Sequence, residues 1–333
     1  MDRVGGRQRK RLVAVRAVVT GGAGFVGSHL VDRLLQNGHT AVAYDNFSTG
    51  HPRFLERAAA AGARFTLVRE DILNPATLAS AMRGADIVFH LAANADVRHG
   101  TEHPGRDLQQ NTIGTFNVLE AMRACGVGRI VFASTGSVYG EPQLFPTPED
   151  APFPIQTSLY GASKLAGEAL VQAYCEGFRF QGYIFRFVSI LGARYSHGHV
   201  FDFYRRLREQ PETLSVLGDG RQRKSYLHVA DCIDAVFVAL ERARDRINVF
   251  NLGTDEYCRV SESIGWITGE LGLAPRIDYT GGERGWIGDS PFIFLDCRKI
   301  QALGWAPTTS IRDGVLGTLR YLRDNPWLLE ARA

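Results

Sequence analysis

The first half of the chain alternates short apolar runs with amphipathic helical patterns, and this alternation limits the possible folds more than any other feature. Helical patterns lie between the runs, notably at 107–124 and 158–177. Six runs are predicted as strands: 17–20, 40–44, 64–68, 85–91, 129–133 and 183–187. Strands buried on both faces read as continuous apolar runs, and parallel neighbours need helical crossovers. We therefore predict an α/β fold with a doubly wound parallel sheet and right-handed crossovers.

After about residue 190 this pattern loosens, because glycine and proline become denser and the apolar runs become shorter. The run 214–217 precedes Gly218-Asp219-Gly220, which is typical of a turn. The run 247–252 is predicted as a strand that returns to the main sheet. We predict a first domain over 15–188 and a smaller, interleaved C-terminal lobe over 189–333.

Composition and charge exclude several classes of protein. Of the 333 residues, 45% are hydrophobic and 22% are charged, which excludes a disordered or collagen-like chain. The net charge is +3, but five basic residues and one acidic residue fall within 2–11. We assign residues 1–14 to a basic N-terminal tail. The rest of the chain is close to neutral, which argues against nucleic-acid binding.

The five cysteines are scattered and form no CxxC pair, which argues against a disulfide framework and against a metal site. A reducing, cytoplasmic location fits this pattern best. No apolar run approaches the length of a membrane span, and the basic N-terminus makes a poor signal peptide. We therefore expect no metal and no membrane partner.

A glycine-rich segment, TGGAGFVG at 20–27, follows the first predicted strand and opens a helix predicted at about 26–37. Its glycines fit the G-x-G-x-x-G pattern, in which the turn and the helix N-terminus approach a pyrophosphate closely. Asp45 ends the next strand, where a carboxylate accepts from the ribose hydroxyls and repels a 2′-phosphate. The pattern predicts a Rossmann-type, dinucleotide-binding first domain that prefers NAD to NADP.

Tyr160 and Lys164 are spaced i and i+4, which places them on one face of the predicted helix 158–177. A free tyrosine has a pKa of about 10 and is a poor base near neutrality. A neighbouring ammonium favours the phenolate, so this pair could exchange a proton with a substrate hydroxyl. Such pairs are also common on solvated helix faces, so the pair alone leaves both interpretations open.

With the glycine turn, Asp45 and the Tyr160/Lys164 pair in this order, the chain resembles the extended short-chain dehydrogenase/reductases. Within them it looks like the NAD-dependent nucleotide-sugar epimerase/dehydratase family, and the resemblance runs from about 18 to 322. It is supported by five further stretches: YDNFS at 44–48, HLAA at 90–93, NTIGT at 111–115, STGSVYG at 134–140 and SYLHVAD at 225–231.

The resemblance implies roles for the matching positions. Thr135 would hydrogen-bond the reacting sugar hydroxyl beside Tyr160, and Lys164 would also hold the nicotinamide ribose. His90 is interpreted as a packed strand residue. The implied NAD-binding positions are Gly21, Gly24, Phe25, Val26, Gly27, Asp45, Asn46, Ser48, Asp71, Ile72, Leu91, Ala92, Ala93, Asn111, Ser134, Tyr160, Lys164 and Phe187.

The substrate pyrophosphate needs cations and N–H donors, which the C-terminal lobe offers. In the resembling enzymes an arginine stands where Lys224 falls, and asparagine is common where Ser189 falls. Lysine cannot grip a phosphate bidentately, so either Arg223 takes that role or the phosphate is held differently. His197 or His199 could contact a sugar hydroxyl. The substrate candidates are Thr135, Ser137, Ser189, Arg194, Arg223, Lys224, Arg284 and Asp289.

The positions after Thr135 help to choose the reaction. Related dehydratases and decarboxylases carry an acid two residues after this threonine, whereas this chain has Gly136 and Ser137. The resemblance therefore favours a C4 epimerase acting on a sugar of the UDP-glucose/UDP-galactose type. Dehydratase, decarboxylase and reductase activities, or a non-catalytic dinucleotide sensor, are the alternatives. The family also implies a homodimer through helices 107–124 and 158–177.

Overall fold

The computed structural model describes residues 14–153, 155–286 and 288–331, so residues 1–13 of the predicted basic tail lie outside the described residues. The strands are β1 (Arg16–Thr20), β2 (Thr40–Tyr44), β3 (Phe65–Val68), β4 (Ile87–His90), β5 (Arg129–Thr135), β6 (Gln181–Phe187), β7 (Ser189–Leu191), β8 (Thr213–Val216), β9 (Arg223–Lys224), β10 (Tyr226–His228), β11 (Ile247–Leu252), β12 (Cys258–Arg259), β13 (Arg276–Tyr279) and β14 (Phe292–Ile293).

The helices alternate with these strands in the first half of the chain and cluster in the second. They are α1 (Phe25–Gln36), α2 (Glu56–Ala59), α3 (Pro75–Met82), α4 (Val97–Glu102), α5 (Pro104–Asp107), α6 (Gly114–Cys125), α7 (Leu159–Phe178), α8 (His199–Glu209), α9 (Val229–Arg242), α10 (Val260–Leu271), α11 (Arg298–Gln301), α12 (Ile311–Asp324) and α13 (Trp327–Glu330). Short 3₁₀ helices lie at Pro52–Leu55, Gly62–Arg64 and Gly136–Tyr139.

Seven parallel strands form one sheet in the order β11-β6-β5-β4-β1-β2-β3. This is the order of a doubly wound Rossmann-type sheet, so the predicted fold class is confirmed. The six predicted strands are present, and β11 is the predicted returning strand. Val18 and Val19 pack into the cores on opposite faces, because successive side chains of a strand point to opposite sides.

The predicted helix 107–124 differs from the observed structure. A π-helical segment, Leu108–Ile113, separates α5 from α6. Asn111 in this segment is buried and hydrogen-bonded to Asn94 in a loop and to Ser163 on α7. These tertiary hydrogen bonds compensate for the irregular backbone. Apolar periodicity does not reveal such a one-residue shift in helical phase. π-helical turns are frequent at functional sites.

The C-terminal segments form three small sheets: β10-β7, β12-β9-β14 and β13-β8. Together with α8, α10 and α12 they enclose a separate cluster of buried side chains that includes Phe201, Leu214 and Leu319. The division of the chain at residue 188 stays a prediction, which this separate cluster supports. In the described part of the chain, no helix is both long enough and apolar enough to span a membrane.

Candidate active site

The glycine turn between β1 and α1 leaves no room for side chains. A Cβ atom on Gly21 would lie 2.7 Å from the amide nitrogen of Ala92, and Gly21 itself has a positive φ of 71°. A Cβ atom on Gly27 would collide with the carbonyl oxygen of Gly21. Gly24 precedes α1 without a capping side chain, so the first amide groups of that helix can bind an anion. The turn therefore fits the pyrophosphate of a dinucleotide.

Asp45 is buried directly after β2 and is braced against the glycine turn. Its carboxylate accepts from the amides of Ala23 at 2.9 Å and Phe47 at 2.8 Å. Burial raises the pKa of Asp45, and the two backbone hydrogen bonds oppose this shift. The structure therefore places the predicted ribose-binding carboxylate beside the predicted phosphate turn.

The other predicted cofactor residues lie along the carboxyl ends of the same strands. Asn46 donates to the Asp71 carboxylate at 2.7 Å and accepts from the Ser48 amide at 2.9 Å. Ile72 is buried next to Gly114, where a Cβ would collide with its side chain. Leu91, Ala92 and Ala93 follow β4, and an apolar cavity is lined by residues that include Val26, Leu91 and Phe187.

Thr135 and Tyr160 meet at the carboxyl end of β5. The Thr135 side chain lies beside the Tyr160 hydroxyl and influences its titration, and the Thr135 hydroxyl accepts from the Ser137 amide at 3.1 Å. Tyr160 is held in the first turn of α7, where the hydroxyl of Ser158 caps the helix by accepting from Gly161 at 3.0 Å. The structure thus brings the predicted base and the predicted hydroxyl-binding residue into direct contact.

Lys164 belongs to α7 and is buried, with 3% of its surface exposed. Its Nζ donates to the carbonyl of Ala133 at 2.6 Å and lies 4.7 Å from the ring centre of Phe132. Burial lowers the pKa of Lys164 to about 8, against a smaller opposing effect of the Glu168 carboxylate.

The prediction that Lys164 lowers the pKa of Tyr160 is wrong for this structure. Burial raises the pKa of Tyr160 to about 12, and the neighbouring Thr135 hydroxyl only partly offsets this increase. The i,i+4 spacing places both residues on one helix face, but the ammonium is directed toward Ala133 and Phe132. Sequence spacing does not report how strongly each group is desolvated.

We expect Lys164 to make stability depend on pH. The unfolded chain holds this proton up to about pH 10.5, whereas the folded protein releases it near pH 8. Between these values the unfolded state binds more protons, so the free energy of unfolding rises with pH. The free energy of unfolding of the wild type, minus that of Lys164→Met, should rise by about 3 kcal/mol from pH 7.5 to 10.5. Urea denaturation measures both values. The exposed Lys299→Met variant should track the wild type, and parallel curves for wild type and Lys164→Met would contradict the assignment.

A buried ionic network lies behind these residues and was missed by the sequence analysis. Glu168, fully buried on α7, accepts from Arg186 at 2.7–3.2 Å and from the hydroxyl of Ser134. Arg186 also donates to the Tyr139 hydroxyl at 2.7 Å. Two signals could have revealed it: Glu168 is one turn after Lys164, and Arg186 is a charged residue inside an apolar strand. Ser134, a predicted cofactor residue, is engaged by this network.

Asn111 connects three parts of the site. Its side-chain oxygen accepts from the amide of Asn94 at 2.8 Å, and its Nδ2 donates to the Ser163 hydroxyl at 2.9 Å. Ser163 in turn donates to the carbonyl of Tyr160 at 2.9 Å. The π-helical segment is therefore tied to the helix that carries Tyr160.

The structure pairs two of the predicted substrate residues with each other. Nζ of Lys224 lies 2.6 Å from the carboxylate of Asp289 and donates to the carbonyl of Ser290 at 2.5 Å. Arg223 is exposed and lies 3.8 Å above the ring centre of Phe292. The Lys224–Asp289 pair therefore joins β9 to the loop that precedes β14.

Other substrate candidates are separated or already engaged. Arg284 forms an ion pair with Glu141, and Ser189 is exposed at the start of β7. Arg194 pairs with Asp32 of α1 at 2.7 Å, and both side chains are largely buried. The assignment of Arg194 to the pyrophosphate is therefore not supported, because its charge is already neutralised within the fold.

Of the two histidine candidates, His199 is structural, whereas the role of His197 stays a prediction. His199 is enclosed against Tyr226, with ring centres 4.7 Å apart, and its Nε2 lies 2.9 Å from the Ser263 hydroxyl. Burial lowers its pKa to about 3. The suggestion that His199 contacts a sugar hydroxyl is therefore not supported, because the ring is packed inside the lobe. Across the described ranges, no group of His, Cys, Asp and Glu side chains could hold a metal ion.

Comparisons with known proteins agree with this geometry. Residues 17–253 match the model of the NAD dependent epimerase/dehydratase family. The UDP-glucose 4-epimerase of Mycolicibacterium smegmatis is 32% identical over 316 residues, which cover 93% of this chain and 99% of that protein. A crystal structure of a UDP-galactose 4-epimerase is 36% identical, with a TM-score of 0.84 and coverage of 94% of this chain and 100% of that one.

A further solved structure carries a different sugar. The UDP-glucuronic acid 4-epimerase from Bacillus cereus, in complex with UDP-glucuronic acid and NAD, is 30% identical with a TM-score of 0.84. The match covers 93% of this chain and 99% of that one. Relatives at similar identity therefore act on sugars that differ at C6.

Proposed function

The chain belongs to the NAD-dependent epimerase/dehydratase family and uses NAD as its cofactor, and on this premise we propose that it is a nucleotide-sugar 4-epimerase. The observation that carries the proposal is the placement of Thr135 beside Tyr160 at the carboxyl end of β5, where Gly136 and Ser137 follow instead of an acid. Members that eliminate water need a further proton donor, which neither of these two residues supplies at neutral pH.

The proposed roles follow from the contacts of the site. Thr135 orients the sugar 4-hydroxyl, and Tyr160 accepts its proton and later returns it. Lys164 lies one helical turn from Tyr160 and is charged below about pH 8, and its proposed role is to hold the nicotinamide ribose. Bound NAD supplies the redox chemistry by taking up and giving back the C4 hydride. Gly136 keeps the reacting end of β5 open, since a Cβ there would lie 3.1 Å from Ile293.

The glycine turn and Asp45 would hold the cofactor, because the turn offers amide groups and Asp45 offers a carboxylate for the ribose. For the substrate we propose UDP-glucose and UDP-galactose. The two 4-epimerase relatives named for these sugars support this choice, and the UDP-glucuronic acid 4-epimerase is the reason to test acidic sugars as well. Arg223, whose side chain is exposed, is the proposed contact to the nucleotide side, whereas the charge of Lys224 is already neutralised by Asp289.

A panel of nucleotide sugars followed by NMR tests this function. The protein should interconvert UDP-glucose and UDP-galactose without net change in NAD, and the panel should include UDP-glucuronic acid, UDP-N-acetylglucosamine and GDP-sugars. Interconversion of another C4 pair would correct the substrate but keep the reaction. A 4-keto-6-deoxy product, or no C4 inversion with any sugar, would contradict the epimerase proposal.

We further propose that the protein is a homodimer through the faces of its α6 and α7 regions. Large apolar side chains are exposed there, among them Leu108, Phe116 and Phe178, at 53%, 43% and 50% of their surface. Exposed apolar groups concentrated on two adjacent helices are typical of a surface that a second copy covers.

Light scattering at micromolar concentration should give twice the chain mass of 36.7 kDa. Phe116→Glu should shift the mass toward the monomer, because it places a charge in the proposed apolar contact. Tyr279 on β13 is exposed to the same extent, 43%, and Tyr279→Glu should leave the mass unchanged. A monomeric wild type would overturn the dimer proposal.

A further inference from the structure

His90, the last residue of β4, is enclosed and has hydroxyl partners on both ring nitrogens. Nδ1 lies 2.7 Å from Oγ1 of Thr20, and Nε2 lies 2.9 Å from Oγ1 of Thr115. The side chain is 1% exposed. Burial, with a smaller effect of the Lys164 ammonium, lowers its pKa to about 3, so the ring is neutral. The sequence-based interpretation of His90 as a packed residue is right about burial but does not explain these two partners.

The protons of this hydrogen-bond chain have one consistent direction. Thr115 donates its hydroxyl proton to the carbonyl of Asn111 at 2.6 Å, because a carbonyl can only accept. Thr115 must therefore accept from His90, which puts the ring proton on Nε2 and leaves Nδ1 as an acceptor. Thr20 then donates to Nδ1 and accepts from the amide of Ala92 at 3.4 Å. We call these five residues, Ala92, Thr20, His90, Thr115 and Asn111, the His90 relay.

The two ends of the His90 relay belong to the two halves of the active site. Thr20 immediately precedes Gly21, where an added Cβ would lie 2.7 Å from the amide nitrogen of Ala92, so this end borders the dinucleotide turn. At the other end, Asn111 donates to Ser163, and Ser163 donates to the carbonyl of Tyr160. His90 is the side chain through which the two ends are joined.

We propose that His90 is a positioning residue. Through Thr20 it fixes the position of the backbone beside the dinucleotide turn. Through Thr115 it fixes the position of the π-helical segment and of the helix that carries Tyr160. A neutral imidazole suits this role because it donates at one nitrogen and accepts at the other, at a fixed separation within a rigid ring. Thr20, His90 and Thr115 touch neither reacting group, and the turnover measurement that tests their role rests on the proposed function.

Two isosteric variants separate the two ends of the relay. Thr20→Val removes the hydroxyl on the dinucleotide side, and we expect NAD binding to weaken about tenfold while turnover at saturating NAD stays within about twofold. Thr115→Val removes the hydroxyl on the catalytic side, and we expect turnover to fall about tenfold while the NAD affinity stays within about twofold. NAD affinity is measured by calorimetric titration and turnover by the NMR assay.

Two variants of His90, the central residue of the relay, test whether its two ends act separately on NAD affinity and on turnover. The Oδ1 atom of His90→Asn can replace Nδ1 toward Thr20 but cannot reach Thr115, so this variant should behave like Thr115→Val. The amide of His90→Gln can replace Nε2 toward Thr115 but leaves Thr20 without its acceptor, so it should behave like Thr20→Val. If both variants lose NAD affinity and turnover together, the split role is overturned.

Thr318 offers a matched control for the loss of a buried hydroxyl. Like Thr115, it donates to the carbonyl four residues earlier, Gly314, and accepts one bond, from the amide of Gly192 at 2.8 Å. Thr318→Val should lower the denaturation midpoint as Thr115→Val does, with unchanged NAD affinity and turnover. If Thr115→Val matches this control in all three measurements, the relay is only structural and the proposal is overturned.

The failure of the proposed function would be visible separately. If the wild type turns over no nucleotide sugar, the proposed function fails, and the comparison of NAD affinity between Thr20→Val and Thr115→Val still decides the relay. A selective loss of affinity in Thr20→Val supports it, and equal affinities overturn it.

Discussion

Replacement of Tyr160 by phenylalanine is expected to reduce turnover at least about a thousandfold, because it removes the group that accepts and returns the substrate proton. The ring of Tyr160 keeps its packing, and only the hydroxyl beside Thr135 is lost. NAD affinity should therefore stay within about twofold of the wild type, since the glycine turn and Asp45 are unaffected. Turnover is measured by NMR with the sugar that the panel identifies, and NAD affinity by calorimetric titration.

Tyr174 provides a control on the same helix. Its hydroxyl donates to Glu120 at 2.6 Å, far along α7 from the site, so Tyr174→Phe loses a buried tyrosine hydroxyl without touching the proposed chemistry. We expect this variant to retain turnover close to that of the wild type. If Tyr160→Phe also retains turnover, Tyr160 is not the proton-transfer group. If it loses NAD binding to the same degree as turnover, its role is in cofactor binding and not in proton transfer.

Replacement of Arg186 by methionine is expected to lower the free energy of unfolding by about 3–5 kcal/mol, because it leaves the buried Glu168 carboxylate without its cation. Glu168 is fully buried, and Arg186 supplies two of its nitrogens to that carboxylate at 2.7–3.2 Å. The loss also removes the stacking of Arg186 on Tyr139 and Phe153, at 4.9 and 5.0 Å from their ring centres. Urea denaturation measures the change.

The double variant Glu168→Leu/Arg186→Met separates the charge effect from the packing effect. With both charges gone, no unpaired charge is left buried, and more than half of the loss should be recovered. The exposed pair Arg246–Glu176, at 52% and 65% exposure, is the matched control, and Arg246→Met should cost less than about 1 kcal/mol. Equal losses for Arg186→Met and Arg246→Met would show that burial does not control the energetics of these pairs.

Local patterns explain why so much of the fold was predictable. Runs such as 40–44 and 183–187 are apolar because both faces of each strand are covered, and this requirement is visible residue by residue. The glycine turn was predictable for the same reason, because the atoms that would collide with side chains at its glycines belong to nearby residues of the chain as well as to Ala92. The interruption of helix 107–124 was not predictable, since its cause is the set of bonds from Asn111 to other segments.

The site was predictable only where its residues carry local signatures. Tyr160 and Lys164 are spaced along one helix, and Thr135 ends a recognisable strand. By contrast, Glu168 on a helix contacts Arg186 on a strand, and these two residues are 18 positions apart in the chain. Lys224 contacts Asp289, which is 65 positions away. No spacing rule indicates such pairs, because strand order and lobe packing bring them together.

The amino-acid sequence by itself determined the doubly wound sheet, the glycine turn and the placement of Tyr160 and Lys164 on one face of a helix, because each depends on residues that are close in the chain. Tertiary structure alone decided which charges are neutralised, as in Arg194 with Asp32, and which groups are desolvated, as in Tyr160 and Lys164. It also placed His90 between Thr20 and Thr115. Burial and long-range hydrogen bonds follow from the packing of distant segments, and they govern the pKa values and the positioning on which the proposed chemistry depends.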